Sequence, residues 1–206
     1  GMAFFIVLGF LLNLMRIPLD WKLFLFISLI LPVIDIFRKL KNTGKIIEGI
    51  KLTKYDLSII IMLLLFAATF YMYSKGAFSY PYLEDDDSWS HAITAKFVSA
   101  NKQLFRPSGV SLPYMDPYPP AYSLIMGVLH QTNDSIFWTL KFFNALIISL
   151  SIVFFYFFAN KLTGNHKKAL FSTFALASVP AFMSHFIWSI SLAIPLYFVS
   201  LYALEK

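Results

Sequence analysis

The sequence contains no cysteine and little charge. Without cysteine, the chain forms no disulfide, thiolate metal site or cysteine nucleophile. Charged residues make up 14% of the 206 residues, whereas hydrophobic residues make up 58%. Soluble domains carry about 25% charged residues, and a chain so poor in polar groups lacks the surface to face water all round. The composition therefore predicts an integral membrane protein.

Long uncharged runs predict where the chain crosses the bilayer. A transmembrane helix needs about 20 mostly apolar residues. The 36 residues from Ala169 to Leu204 contain no Asp, Glu, Lys or Arg, and as one helix they would span about 54 Å against about 30 Å of hydrocarbon, so we expect them to fold back. The predicted membrane segments are an N-terminal helical hairpin at 2–37 and spans at 57–74, 136–160, 168–183 and 187–204.

The basic residues predict the orientation of these segments. Residues 38–55 contain six Lys or Arg and one acid, Glu48, which places this loop on the cytoplasmic side by the positive-inside rule. Residues 75–135 are then extracytoplasmic. The net charge of +6 is thus a topology signal, and we expect no nucleic-acid partner. The predicted fold is all-α: a single transmembrane domain, 1–206, with about six transmembrane helices.

The external segment 75–135 concentrates the acidic residues. Four carboxylates, Glu84 to Asp87, lie where the 57–74 span leaves the bilayer, directly after Ser79-Tyr80-Pro81-Tyr82-Leu83. Asp87 or Ser88 is expected to cap a helix near 88–104, whose apolar residues recur every three or four positions and predict a helix lying along the membrane surface. Pro120 suits the first turn of a second interfacial helix near 120–131, which is too short to span.

Two interpretations of the acidic run stay open. It is either a solvated surface or a site in which a carboxylate acts as a general base or binds a divalent cation. Its position at the mouth of a span, beside a helix N-terminus and among Tyr80, Tyr82 and Trp89, favours a site. His91, one turn after Asp87, is either part of that site or a polar-face histidine of the helix.

The run Glu84-Asp-Asp-Asp-Ser-Trp-Ser-His91, its helix, and the motif Tyr118-Pro-Pro-Ala-Tyr122 together resemble the GT-C superfamily of membrane glycosyltransferases. The likeness covers about residues 57–204 and is greatest to the protein mannosyltransferase-like branch, with a more distant likeness to the oligosaccharyltransferase catalytic subunit. It implies transfer of a sugar from a polyprenyl-phosphate-linked donor to a protein or glycan acceptor. The active site would be extracytoplasmic, on the plasma membrane if the protein is prokaryotic.

The resemblance also implies roles for individual residues. Asp87 is the first choice for the catalytic acid of the family and Asp86 the second, with Glu84 and Asp85 as supporting acids. A divalent cation, Mg²⁺ or Mn²⁺, would bind Asp86, Asp87 and His91. Metal-dependent relatives carry a second pair of acids in a later external turn, which here, at 182–189, contains none. The residues expected to bind donor, phosphate or acceptor are His91, Lys96, Lys102, Arg106, Tyr118, Tyr122 and His185.

Two other functions remain open at this point. One is a transporter or channel with an acidic external vestibule, although the later spans offer only Asn144 and His185 as notable polar side chains, whereas transporters carry ionisable groups near the midplane. The other is a non-catalytic membrane assembly subunit. Members of the resembled family continue for many more spans, so we expect the sequence to be an N-terminal portion.

Overall fold

The computed structural model of the chain describes residues 2–43, 54–105, 111–112, 114–115, 119–179 and 186–205. These residues form eight α-helices and no strand, which confirms the predicted all-α class. The helices are α1 (Met2–Leu14), α2 (Trp21–Thr43), α3 (Lys54–Phe78), α4 (Asp86–Asn101), α5 (Ala121–His130), α6 (Ile136–Thr163), α7 (His166–Ala177) and α8 (Ile190–Leu204).

Two helices in the described part of the chain are long and apolar enough to cross a membrane. They are α3, over Asp56–Phe78, and α6, over Ile136–Thr163, and they contain the predicted spans 57–74 and 136–160. Helices α1, α5 and α8 are apolar but have 10 to 17 residues. The structure therefore supports two of the six expected spans in the described residues, and the other four stay a prediction.

The N-terminal hairpin differs from the expected 2–37 at its second helix. Helix α2 continues to Thr43, so that Arg38, Lys39 and Lys41 are helical rather than part of a loop. Lys39 pairs with Asp35 one turn earlier at 3.0 Å, and lysine and arginine are themselves good helix formers. The rest of the basic segment, 44–53, lies outside the described residues.

Helix α6 forms the centre of the structure and packs against α3, α5, α7 and α8. Helices α4 and α5 lie side by side in front of it. They run parallel, because Thr94 of α4 accepts a hydrogen bond from Ser123 at 2.9 Å, and one turn further along Val98 contacts Gly127. The two short helices of the external segment therefore form one unit, fixed on a helix of spanning length.

The turn between α1 and α2 is bound to the C-terminal ends of α4 and α5. The side-chain oxygen of Asn13 accepts a hydrogen bond from the Leu104 amide at 2.8 Å, and the Leu19 amide donates to the Lys102 carbonyl at 2.8 Å. Gln131 bonds the same turn, accepting from the Trp21 amide at 2.9 Å. These bonds satisfy backbone groups that helix ends leave unpaired.

Candidate functional site

The acidic run lies at the N-terminus of α4, but the helix starts earlier than predicted. Asp85 is the N-cap, with an extended backbone and a side chain that accepts from the Ser88 amide at 2.7 Å. The expectation that Asp87 or Ser88 would be the cap is therefore wrong. An aspartate satisfies the free amide three residues after it, and here Asp85 is the acid so placed.

The two acids that follow the cap, Asp86 and Asp87, differ in their exposure and in their contacts. Asp86 and Asp87 both lie in the first turn of α4, where the helix dipole stabilises negative charge. Asp86 is exposed, whereas Asp87 is half-buried. The Asp87 carboxylate accepts a hydrogen bond from the Tyr114 hydroxyl. Of the two predicted catalytic acids, Asp87 is the one that faces other residues of the site.

Tyr114 also covers His91. Their ring centroids are 4.7 Å apart, and on its other side His91 contacts the ring of Tyr122 at 4.8 Å. Tyr114 has a positive φ of 59°, a conformation that a bulky side chain adopts only under tertiary constraint. Since Tyr114 contacts both Asp87 and His91, it brings together two of the predicted site residues.

His91 is 4% exposed. Burial lowers the pKa of His91 to about 4, although the carboxylates of Asp87 and Asp85 act in the opposite direction. The imidazole is therefore neutral at pH 7. Its Nδ1 atom is buried and has no hydrogen-bond partner in the described part of the chain, which is uncommon for a buried polar atom.

Tyr122 connects this cluster to the spanning helix α6. Its hydroxyl donates to the Asn144 side-chain oxygen at 2.9 Å, and the Asn144 amide group donates to the Phe186 carbonyl at 2.9 Å. Burial raises the pKa of the Tyr122 hydroxyl, so Tyr122 stays a neutral donor. The prediction placed Tyr122 in the site, and the structure gives it a supporting position behind His91.

Lys141 is a site residue that the sequence analysis missed. It lies in α6 with 3% of its surface exposed, and its ammonium group donates to the Tyr80 carbonyl and lies 5.7 Å from the Phe78 ring centroid. A crevice with room for about one water separates it from Glu84 and Ser88. The available signal was a lysine inside an apolar helix, since such ionisable residues are seldom incidental.

Aromatic rings border the acids, as expected from Tyr80, Tyr82 and Trp89. Tyr82 and Trp89 both contact Phe137 edge-on, with centroids 6.5 and 5.5 Å away. The apolar positions of α4, however, face outward: Trp89 and Ile93 are 42% and 48% exposed. The buried face of α4 is made of small and polar residues, namely Ser88, His91, Ala92, Thr94, Ala95 and Val98.

Several predicted residues lie away from the acids. Lys102 ends α4 and forms an ion pair with Asp20, about 24 Å along the helix from Asp86 at the usual rise per residue. Lys96 is exposed on the same helix. Arg106, Tyr118 and His185 lie outside the described residues.

The described residues contain no group of three or more His, Asp or Glu side chains arranged to hold a metal ion. Asp86, Asp87 and His91 therefore do not form a ready ligand set. The site places a half-buried carboxylate, which accepts a hydrogen bond from a hydroxyl group, beside a neutral imidazole.

Comparison of the chain with protein-family models, curated proteins and solved structures found no match.

Proposed function

We propose that this protein is a membrane glycosyltransferase of the GT-C type. It transfers a sugar from a polyprenyl-phosphate-linked donor to a hydroxyl of a protein or glycan acceptor. Asp87 is the general base, and the reaction inverts the anomeric centre. The resemblance of the acidic run, its helix and the proline-rich motif supports this proposal.

One observation carries it: the Tyr114 hydroxyl donates to the Asp87 carboxylate. A phenol bound in this way occupies the position that an acceptor hydroxyl needs when a base removes its proton. Asp87 lies in the first turn of α4, where the helix dipole favours negative charge. His91 lies on the same side, with a buried Nδ1 that has no partner in the described residues.

The proposed step is a single displacement. The acceptor oxygen attacks the anomeric carbon as its proton passes to Asp87, and the bond from that carbon to the donor phosphate oxygen breaks. The polyprenyl phosphate leaves with the electron pair. His91 is neutral, and its Nδ1 orients a sugar or acceptor hydroxyl by a hydrogen bond.

The membrane placement is part of the proposal. Helices α3 and α6 cross the bilayer, and α1, α2, α7 and α8 complete a domain of about six membrane segments. The basic end of α2 lies on the cytoplasmic side. Helices α4 and α5 then lie at the extracytoplasmic surface, with the exposed apolar side chains Trp89 and Ile93 of α4 in contact with lipid.

Whether the reaction requires a divalent cation is tested separately, because no group of side chains in the described residues is arranged to hold one. The step above requires only the carboxylate and the imidazole. The transfer assay therefore includes arms with Mg²⁺, with Mn²⁺ and with a chelator. Loss of transfer in the chelator arm alone would show that the reaction requires a divalent cation.

A non-catalytic assembly subunit is the second candidate. It is favoured by the size of the crevice beside Glu84 and Ser88, which has room for about one water. Such a subunit would bind a membrane partner yet transfer no sugar at any concentration of donor.

Tyr114→Phe tests the observation that carries the proposal. The variant retains the ring over His91 but removes the hydroxyl that occupies Asp87. Because the acceptor hydroxyl then binds Asp87 without competition, we expect a lower KM for the acceptor and an unchanged kcat. Tyr82→Phe is the matched control, since Tyr82 lies on the exposed aromatic border. An equal effect of both substitutions on KM would contradict the assignment.

A further inference from the structure

Two cavities of opposite character adjoin at the junction of α2 and α5. The first is a polar hollow of about 450 Å³, lined among others by Asp20, Lys22, Lys102 and Asp134. The second is an apolar groove of about 660 Å³, bounded by α1, α2, α5 and α6. The site described above uses neither cavity.

The two cavities share no lining residue, but they are lined by residues that lie close together on both helices. On α2, Lys22 lines the hollow and Phe24 lines the groove; on α5, His130 lines the hollow and Leu129 the groove. From Phe24 the groove follows α2 as far as Pro32, a distance of about 12 Å at the helical rise per residue. A ligand that fills both cavities has a polar head and an apolar chain.

The charges around the hollow balance. Lys102 and Asp20 form an ion pair with each other, which leaves the Lys22 ammonium group and the Asp134 carboxylate to face a ligand in the hollow. Burial, aided by the charge of Lys96, lowers the pKa of His130, so the imidazole adds a neutral polar contact at pH 7. A headgroup that carries both a phosphate and an ammonium group matches this arrangement, whereas an anionic headgroup leaves the carboxylates opposed to it.

We propose that this paired cavity binds one zwitterionic bilayer phospholipid of the phosphatidylethanolamine class. Its phosphate lies toward Lys22 and its ammonium toward Asp134, while an acyl chain fills the groove along α2. The inference rests on the membrane placement proposed above, in which the start of α2 lies at the extracytoplasmic surface, but it requires no catalysis.

The site is distinct from that of the sugar donor. The hollow lies at the C-terminal end of α4 and the acids at its N-terminal end, about 24 Å apart along the helix. A donor phosphate in the hollow would be out of reach of Asp87. The bound phospholipid instead holds α2 against the rest of the protein, where α2 packs little against the other described helices.

Native mass spectrometry of the detergent-purified protein tests the proposal. The protein is mixed in separate arms with phosphatidylethanolamine, phosphatidylglycerol or polyprenyl phosphate, and the retained lipid is measured. We expect one tightly retained phosphatidylethanolamine. The double variant Lys22→Gln/Asp134→Asn leaves the net charge unchanged and affects two exposed side chains. We expect the double variant to weaken lipid retention about fivefold, because the loss of two exposed charge contacts lowers affinity by about that factor.

A second pair of variants tests the groove. Ser28 lines it, so Ser28→Phe fills the space of the acyl chain and should abolish retention. Leu29→Phe, at the neighbouring exposed position outside the groove, should leave it unchanged. Any one of three results would overturn the proposal. They are equal retention of phosphatidylglycerol, displacement of phosphatidylethanolamine by polyprenyl phosphate, and equal effects of Ser28→Phe and Leu29→Phe on retention. Because no outcome depends on sugar transfer, a catalytically inactive protein gives the same test.

Discussion

Gly127 fixes the distance between the two external helices that carry the site. A Cβ atom added at Gly127 would lie 2.5 Å from the Val98 Cβ, 2.6 Å from its Cγ1 and 2.9 Å from the Ala95 carbonyl oxygen. The Val98 Cβ and the Ala95 oxygen move only with the α4 backbone. Gly127→Ala therefore forces α5 away from α4 by about 1 Å before these atoms reach ordinary contact distance.

Two effects of opposite sign determine how Gly127→Ala changes the free energy of unfolding. Alanine is favoured over glycine in a helix by about 1 kcal/mol, whereas overpacking a filled interior costs about 1–3 kcal/mol. The displacement also strains the hydrogen bond between Ser123 and Thr94, 2.9 Å long in the native contact. We expect a net loss of about 1–2 kcal/mol, which lowers the Tm by about 2–8 °C for a chain of this length.

Thermal unfolding in detergent, followed by the fluorescence of the four tryptophans, measures this loss. Gly9→Ala is the matched control, because the three atoms nearest its new Cβ all belong to the Leu124 side chain, with Cδ2 at 2.4 Å, Cδ1 at 2.9 Å and Cγ at 3.2 Å, and a side chain shifts more easily than a backbone. We expect Gly9→Ala to cost less than Gly127→Ala. A Tm that rises in Gly127→Ala would refute the close packing of α4 and α5, since only helix propensity would then act.

Three further predictions concern single side chains near the site. The pKa of His91 is about 4 in the folded protein against 6.5 for an ordinary histidine, so only the unfolded chain gains a proton between these values. Stability falls as the pH drops through that window, and His91→Gln should reduce the fall when Tm is measured against pH. Asp85→Ala should lower stability by about 1 kcal/mol by removing the cap, and Asp85→Asn by much less, in denaturant unfolding. Lys141→Met should cost about 1–3 kcal/mol by removing the hydrogen bond from a buried ammonium group to the Tyr80 carbonyl, whereas Lys161→Met, which loses an exposed hydrogen bond to the Tyr202 carbonyl at 2.9 Å, should have little effect on Tm.

The sequence predicted those features that depend on residues close together in the chain. The apolar runs at 57–74 and 136–160 predicted the two helices of spanning length, and the prolines before Ala121 predicted the start of α5. The acidic run predicted a helix N-terminus within two residues. Each of these follows from local composition and capping preference.

The remaining features depend on packing between distant residues. Tyr114 reaches Asp87 across 27 residues, and nothing in the periodicity of either segment indicates that contact. The apolar stripe of α4 did not reveal that its buried face would hold Ser88, Thr94 and His91, because small and polar residues allow the close approach of α5. Of the six membrane segments expected from hydropathy, two are helices long and apolar enough to span in the described residues, and the others stay a prediction.

Sugar transfer by Asp87→Asn tests the central claim most directly. The purified protein is reconstituted in vesicles with a polyprenyl-phosphate-linked sugar and a hydroxyl acceptor, and the glycosylated product is measured. Asp86→Asn is the control, because it removes the same charge one residue away, from an exposed position. We expect Asp87→Asn to lower kcat by about 10²–10⁴-fold, as loss of a general base does, and Asp86→Asn to retain most of the activity. Full activity in Asp87→Asn would contradict the claim.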